Sequence, residues 1–194
     1  MARIAGIAPT EAPDEVRRVY ELGEATFGRL PEPITIFAHH PTLFRTYVGV
    51  ESELPRADRL PNRLKDLVSL KAAARIGCPF CLDIGSALAR RAGIDEPTLR
   101  ALAGHARSDA FTPLEKHALD YAVAMTATPV VVPEELVTTL ARELDAAALV
   151  ELTATIAWEN FRSRFNHALG IGAAGYSEGA YCVRPEAVAL HVLP

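Results

Sequence analysis

The tightest constraint on how this chain folds is the junction Gly77-Cys78-Pro79-Phe80-Cys81. A helix-forming run from Leu60 to Ile76 leads into it, carrying Leu64, Leu67, Val68, Leu70 and Ala72 to Ala74. Gly77 is placed to end that helix, because glycine takes the left-handed conformation of a helix C-terminus without steric cost. Pro79 is placed to start the next one, where its missing N–H is not needed. Two helices are therefore expected to meet at Cys78. The second carries Phe80, Ile84, Leu88 and Ala92 on one face, four residues apart, and ends at Gly93.

The same junction sets two thiols one helical turn apart. Such a pair can close a small disulfide ring, and the unpaired N–H groups and positive dipole of a helix start favour a thiolate. Cys78 and Cys81 are thus candidate redox residues, with Cys78 the better placed toward the dipole. The competing reading is two small buried apolar side chains, a common state of free cysteine. A zinc site would need two further ligands, and no second pair at zinc-like spacing exists. No metal or cofactor is expected.

The rest of the chain reads as helices joined by proline- and glycine-marked breaks. An amphipathic run covers Asp14 to Phe27, Ile34 to His40 is a short apolar segment compatible with a helical turn or a strand, and Pro41 opens a helix through Val50. His39-His40 reads as a segment end rather than a ligand pair. Asp95 caps a short helix that Gly104 would terminate, and Thr112-Pro113-Leu114-Glu115 combines a capping threonine, a first-turn proline and a capping-box glutamate. Pro129 to Pro133 is an extended connection, Pro133 begins another helix, and Asp145 caps the longest helical pattern, Ala146 to about Leu169. From Tyr176 to Pro194 there is no clear period, only an irregular tail with room for a short helix. No alternating pattern supports a sheet, so the fold is expected to be all-α. It is read as one multi-helix domain over 1–194, with a core about 60–170, an N-terminal helical arm 10–55 and a C-terminal tail 171–194.

Composition excludes several functions. The formal net charge of −4 and the lack of a basic cluster do not suit phosphate recognition, so nucleic acid is not an expected partner. Three cysteines do not form a secreted disulfide framework, and the first residues lack the charged and apolar regions of a secretory signal. No apolar run is long enough for a membrane span. A cytoplasmic protein is expected.

With these elements in order, the chain resembles the carboxymuconolactone decarboxylase family, in particular its alkylhydroperoxidase D-like branch. The matching residues are Leu60 to Val68, Cys78-Pro79-Phe80-Cys81, Ala87 to Gly93, Phe111 to Pro129 and Glu151 to Gly170. The resemblance implies an all-helical fold, assembly into a homo-oligomer (dimer, trimer or hexamer), and peroxidase or disulfide reductase chemistry at the thiols. Thiol-bearing peroxidases of this family place a histidine four residues after the second cysteine, where this chain has Gly85, and a glutamate twelve residues before the first, where it has Asp66. Asp66 keeps a carboxylate at that relay position, while Phe80 replaces a histidine sometimes found between the cysteines. The relay in its usual form, which would favour Cys81 rather than Cys78 as the attacking thiol, is absent, and the choice between the two thiols stays open at this point.

Ser86 and Asp83 are local substitutes for the missing base, and His105, His117 and His167 are more distant ones. Glu159, Asn160, Arg162, Arg164, Asn166 and His167 form a polar side of the last long helix, with Asn160 and Arg164 on one face and Ser163 and His167 on another. It suits a solvated or subunit-contact face ahead of the lining of a pocket, with Trp158 and Phe161 as core or interface anchors. The expected function is a thiol-dependent oxidoreductase that reduces a hydroperoxide or a partner disulfide and is returned by a protein or thiol reductant. The alternatives are a lyase acting on a lactone acid, using His105, His167, Arg162 and Arg164, and a non-catalytic helical oligomer.

Overall fold

The computed structural model describes residues 2–186, and every regular element among them is a helix. Two compact units are defined by internal contacts, one reaching to Ala57 with the short piece Ala168–Ile171, the other comprising Asp58–His167 and the chain from Gly172 onward.

The first unit holds α1 (Asp14–Phe27), α2 (Glu32–Phe37) and α3 (Pro41–Glu53). The segment with ambiguous periodicity is helical, and α2 buries Ile34, Ile36 and Phe37. The Phe37 ring stacks on Tyr47 of α3, with centroids 4.1 Å apart and planes at 15°. His40 caps α3 by accepting the Leu43 N–H at 3.4 Å, and His39 Nε2 bonds the Ala5 carbonyl at 2.8 Å. The two histidines therefore close a segment, as their position before a proline predicts.

The second unit is organised on α4 (Asn62–Ile76), which packs against both α5 (Pro79–Arg91) and α7 (Pro113–Thr126). Leu67, Val68, Ala72 and Ala74 of α4 are wholly removed from solvent. Gly77 ends α4 at φ 79°, its N–H reaching the Ala73 carbonyl at 2.8 Å. Where α5 crosses α4, a Cβ on Gly85 would lie 3.0 Å from Leu70 Cδ2. Close packing therefore accounts for a glycine in mid-helix, where it costs about 1 kcal/mol relative to alanine.

Asp95 caps α6 (Glu96–Ala101), its Oδ1 accepting the Thr98 N–H at 2.9 Å. Helix α6 gives way after Ala101 to a 3-10 stretch, Leu102–Arg107, which buries Leu102 and His105. That stretch is broken at Gly104, where φ −104° and ψ 26° are not helical, at the position expected for a stop. Both halves of the capping box at α7 are present, with Glu115 N–H to Thr112 Oγ1 at 3.2 Å and Thr112 N–H to Glu115 Oε2 at 2.8 Å. After α8 (Glu134–Glu143), Asp145 opens α9 (Ala146–Leu169) by accepting the Ala148 N–H at 2.8 Å. Bonds from Thr153 to Tyr121 at 3.1 Å and from Asn160 to Thr126 at 3.0 Å tie α9 to α7.

The tail from residue 173 to 186 forms turns and extended backbone without a helix. The N–H groups of Ala174, Tyr176, Ser177 and Val183 are taken by side chains of α5 and that of Glu186 by the Ala74 carbonyl of α4, so much of the tail's order comes from outside it and leaves no regular period. The remainder of the tail reading lies outside the described residues. Among the described residues, no helix is long and apolar enough to cross a membrane.

Candidate dithiol site

Cys78 is the N-cap of α5, and its sulfur accepts the Cys81 N–H at 3.3 Å. The two sulfurs are 2.6 Å apart, with both cysteines free. Cys78 is fully buried and Cys81 is 7% exposed. Phe80, between them, sets its ring edge-on to Tyr176 at 6.0 Å.

The polar groups around the sulfurs come from α9. Asn166 Nδ2 lies 3.4 Å from Cys81 Sγ and 4.0 Å from Cys78 Sγ. The Ser163 hydroxyl lies within reach of both sulfurs. Its one proton is donated to Glu159 Oε1 at 2.7 Å, which leaves its oxygen to accept from a thiol, and Glu159 Oε2 pairs with Arg162 at 2.5 Å. Glu159, Ser163 and Asn166 are all buried. Of the settings the sequence allows for this polar face, solvent or a subunit contact is favoured over a pocket, and for these three residues the structure has the buried one. The signal for burial is spacing: the three residues fall at i, i+4 and i+7 and continue the buried stripe of Leu152 and Ile156.

The surroundings divide the two thiols. Cys78 is pulled below the ordinary thiol value, chiefly by the Cys81 S–H, against burial and the Glu159 charge, with help from the Cys81 N–H and Ser163. Cys81 is pushed well above it, because its proton is held between the sulfurs and because burial and Glu159 oppose a second negative charge. Cys78 is therefore the thiol of the pair that ionises first, and its sulfur is the one at the helix start, where a negative charge is favoured.

The other expected site residues lie in varied settings. Asp66 is half-buried on α4, where burial raises its carboxyl against the lowering effect of Lys65. Asp83 accepts N–H bonds from Ala174 at 2.8 Å, Tyr176 at 3.0 Å and Ser177 at 2.7 Å. Burial works to raise its carboxyl, but these bonds together hold it below the usual carboxylate range. Ser86 accepts the Val183 N–H at 2.9 Å and stands 4.0 Å from Cys182 Sγ. Both groups are thus engaged by the tail. His105 bonds Asp120 of α7 at 2.9 Å, His117 bonds Glu143 at 3.3 Å, and His167 is exposed. Arg162 is held by Glu159, and Arg164 by Asn160 and the Thr126 carbonyl.

An all-helical chain with a buried dithiol at a helix start, overlaid by one long helix, defines the class as a helical dithiol protein. The model of the carboxymuconolactone decarboxylase family matches residues 41–124. The uncharacterised protein YnjA of Escherichia coli is 37% identical over 151 residues, covering 77% of this chain and 82% of that protein. An alkyl hydroperoxide reductase of Mycobacterium tuberculosis is 30% identical over 103 residues, 53% of this chain but only 30% of its own length. The chain belongs to the carboxymuconolactone decarboxylase family, in its alkylhydroperoxidase D-like branch. The fold is also that of the debrominase Bmp8, at a TM-score of 0.81 and 24% identity over 89% of this chain and 92% of that one. It is matched again by an alkylhydroperoxidase D core protein of Ralstonia eutropha, at 0.79 and 18% identity with the same coverage.

Proposed function

We propose that this protein is a thiol-dependent oxidoreductase that reduces a small hydroperoxide by cycling Cys78 and Cys81 between dithiol and disulfide. The observation that carries the reading is the pair itself, two free sulfurs 2.6 Å apart at a helix start, with surroundings that lower the Cys78 thiol and raise that of Cys81. In the first step the Cys78 thiolate attacks the peroxide oxygen, the O–O bond breaks, and the alkoxide takes a proton from water to leave as alcohol. The resulting sulfenic acid is then attacked by Cys81, the S–S bond forms, and hydroxide leaves. A thiol reductant returns the pair to the dithiol, and a reducing cytoplasm keeps it there at rest. The deep position of Cys78 favours a small peroxide over a folded partner's disulfide. Kinship to an alkyl hydroperoxide reductase supports the same substrate class.

The test is to treat reduced protein with an alkyl hydroperoxide and follow it by mass. The expected result is loss of two hydrogens localised to a Cys78–Cys81 disulfide, and in Cys81→Ser a sulfenic acid on Cys78 that dimedone traps. Unchanged peroxide consumption in Cys81→Ser, with no disulfide in the parent, would sink the reading.

A further inference from the structure

Gly85, one turn beyond Cys81 on α5, carries no side chain that could serve the thiol as a base, and a Cβ there would stand 3.0 Å from Leu70 Cδ2. The second thiol must nevertheless lose its proton before it can attack. Two buried groups lead away from it, the Ser163 hydroxyl beside the sulfurs and Glu159 Oε1 at 2.7 Å from that hydroxyl, and the half-buried Arg162 pairs with the other carboxylate oxygen at 2.5 Å. Ser163 is fully buried and Glu159 is 3% exposed, so the line is shielded from water.

We infer that Ser163 and Glu159 form a proton relay for Cys81, supplied by α9 in place of the missing histidine on α5. The inference rests on the dithiol reading above and deepens it. In the resolving step the Cys81 proton passes to Ser163 Oγ as the Ser163 proton passes to Glu159, leaving Cys81 as thiolate and Glu159 as the neutral acid. The Cys81 thiolate attacks the Cys78 sulfur, and the S–O bond of the sulfenic acid breaks. The departing hydroxide takes the proton back from Glu159 through Ser163 and leaves as water. The two electrons come from the dithiol and the relay ends as it began. Ser163 touches the reacting sulfurs, whereas Glu159 acts through Ser163 and is a positioning residue that accepts the proton. Arg162 orients the carboxylate so that Oε1 faces Ser163.

The relay is testable without a peroxide. In a Cys182→Ser parent, methyl methanethiosulfonate first transfers a methylthio group to the Cys78 thiolate with release of methanesulfinate. Cys81 then displaces methanethiolate, which takes the relayed proton, to give the Cys78–Cys81 disulfide. Rapid quenching and mass spectrometry separate the two phases. Glu159→Gln keeps the shape and removes the proton acceptor. The expected result is an unchanged or faster first phase, because the charge that opposes the Cys78 thiolate is gone, and a second phase slowed about 100-fold. Ser163→Ala is expected to slow the second phase comparably, and serves where Glu159→Gln does not fold. A purely electrostatic Glu159 gives the opposite sign, since its removal makes Cys81 more acidic and the second phase faster. A second phase as fast as the parent's or faster, in whichever variant folds, overturns the relay, as does equal slowing of both phases. Failure of the parent to form a disulfide with hydroperoxide counts against the substrate class and leaves this measurement intact.

Discussion

The two ends of α5 use the same helix for opposite purposes. In its first turn, Cys78 and Cys81 face the side chains of Ser163 and Asn166 on α9, groups with exchangeable protons or movable dipoles. In its later turns, Asp83, Ser86 and Arg90 hold backbone atoms of the tail, at Ala174 to Ser177, at Val183 and at the Tyr181 carbonyl. A carboxylate filled by three backbone N–H groups has no proton to trade and no free lone pair aimed at substrate. A thiol facing a hydroxyl and a second thiol keeps a proton that can move. Residue type alone made both ends look reactive; their partners separate a clamp from a chemical site.

Removing the clamp is the largest expected perturbation. In Asp83→Ala, three N–H groups, one buried at Ser177 and two part-buried at Ala174 and Tyr176, lose a charged acceptor, each such loss costing about 1–3 kcal/mol where the group is shielded from water. We expect the variant to lose about 4 kcal/mol in urea denaturation while the methanethiosulfonate phases persist in the folded fraction. A loss under about 1 kcal/mol, or abolition of the thiol phases, would erase the contrast between the two ends. The same carboxylate gives the clamp an acid limb. Its folded pKa is below the unfolded one, so its contribution is complete above the unfolded value of about 3.9 and is lost as pH falls through the folded value. The parent is therefore expected to lose stability on acidification below about pH 4, and Asp83→Ala to lack this component.

What the sequence made legible follows the range of the interaction. The Gly77 stop, the Pro79 start and the Thr112 to Glu115 box are decided within one turn, and each is found where local chemistry puts it. The all-α class follows from the same local signals. The dithiol was legible for that reason too, being a helix-start feature. The groups that surround it were not, because Ser163 and Asn166 lie more than eighty residues away and only packing brings α9 over α5. The tail was illegible for a related reason: its order is imposed by Asp83 and Ser86, about ninety residues earlier, and leaves no period in its own sequence.

A smaller effect distinguishes what holds the charge on Cys78. The leading influence is the Cys81 S–H, and the Cys81 backbone N–H at the helix start adds to it. Cys81→Ala removes the first and keeps the second, whereas Cys81→Ser retains a hydroxyl donor. The pH midpoint of Cys78 alkylation by iodoacetamide, measured with Cys182 replaced by serine, is expected to be lowest in the parent, higher in Cys81→Ser and highest in Cys81→Ala. No movement in Cys81→Ala would mean that the helix start alone holds the thiolate, and that the first turn of α5 acts through its backbone as the later turns do through their side chains.

The smallest effect concerns Gly85, which lies between the two ends. Alanine there gains about 1 kcal/mol of helix propensity, but its Cβ would meet Leu70 Cδ2 at 3.0 Å. Leu70 is 2% exposed and cannot swing into solvent, and overpacking of this kind costs about 1–3 kcal/mol. The net expectation for Gly85→Ala is a loss of about 1 kcal/mol. Gly49 in α3 is the control, because nothing lies within 4 Å of the Cβ it would acquire. There the propensity gain stands alone, and Gly49→Ala is expected to gain about 1 kcal/mol. Opposite signs in thermal melts of the two variants would tie Gly85 to the approach of α5 to α4. A stabilising Gly85→Ala would mean that Leu70 yields, and packing would no longer account for the glycine in mid-helix.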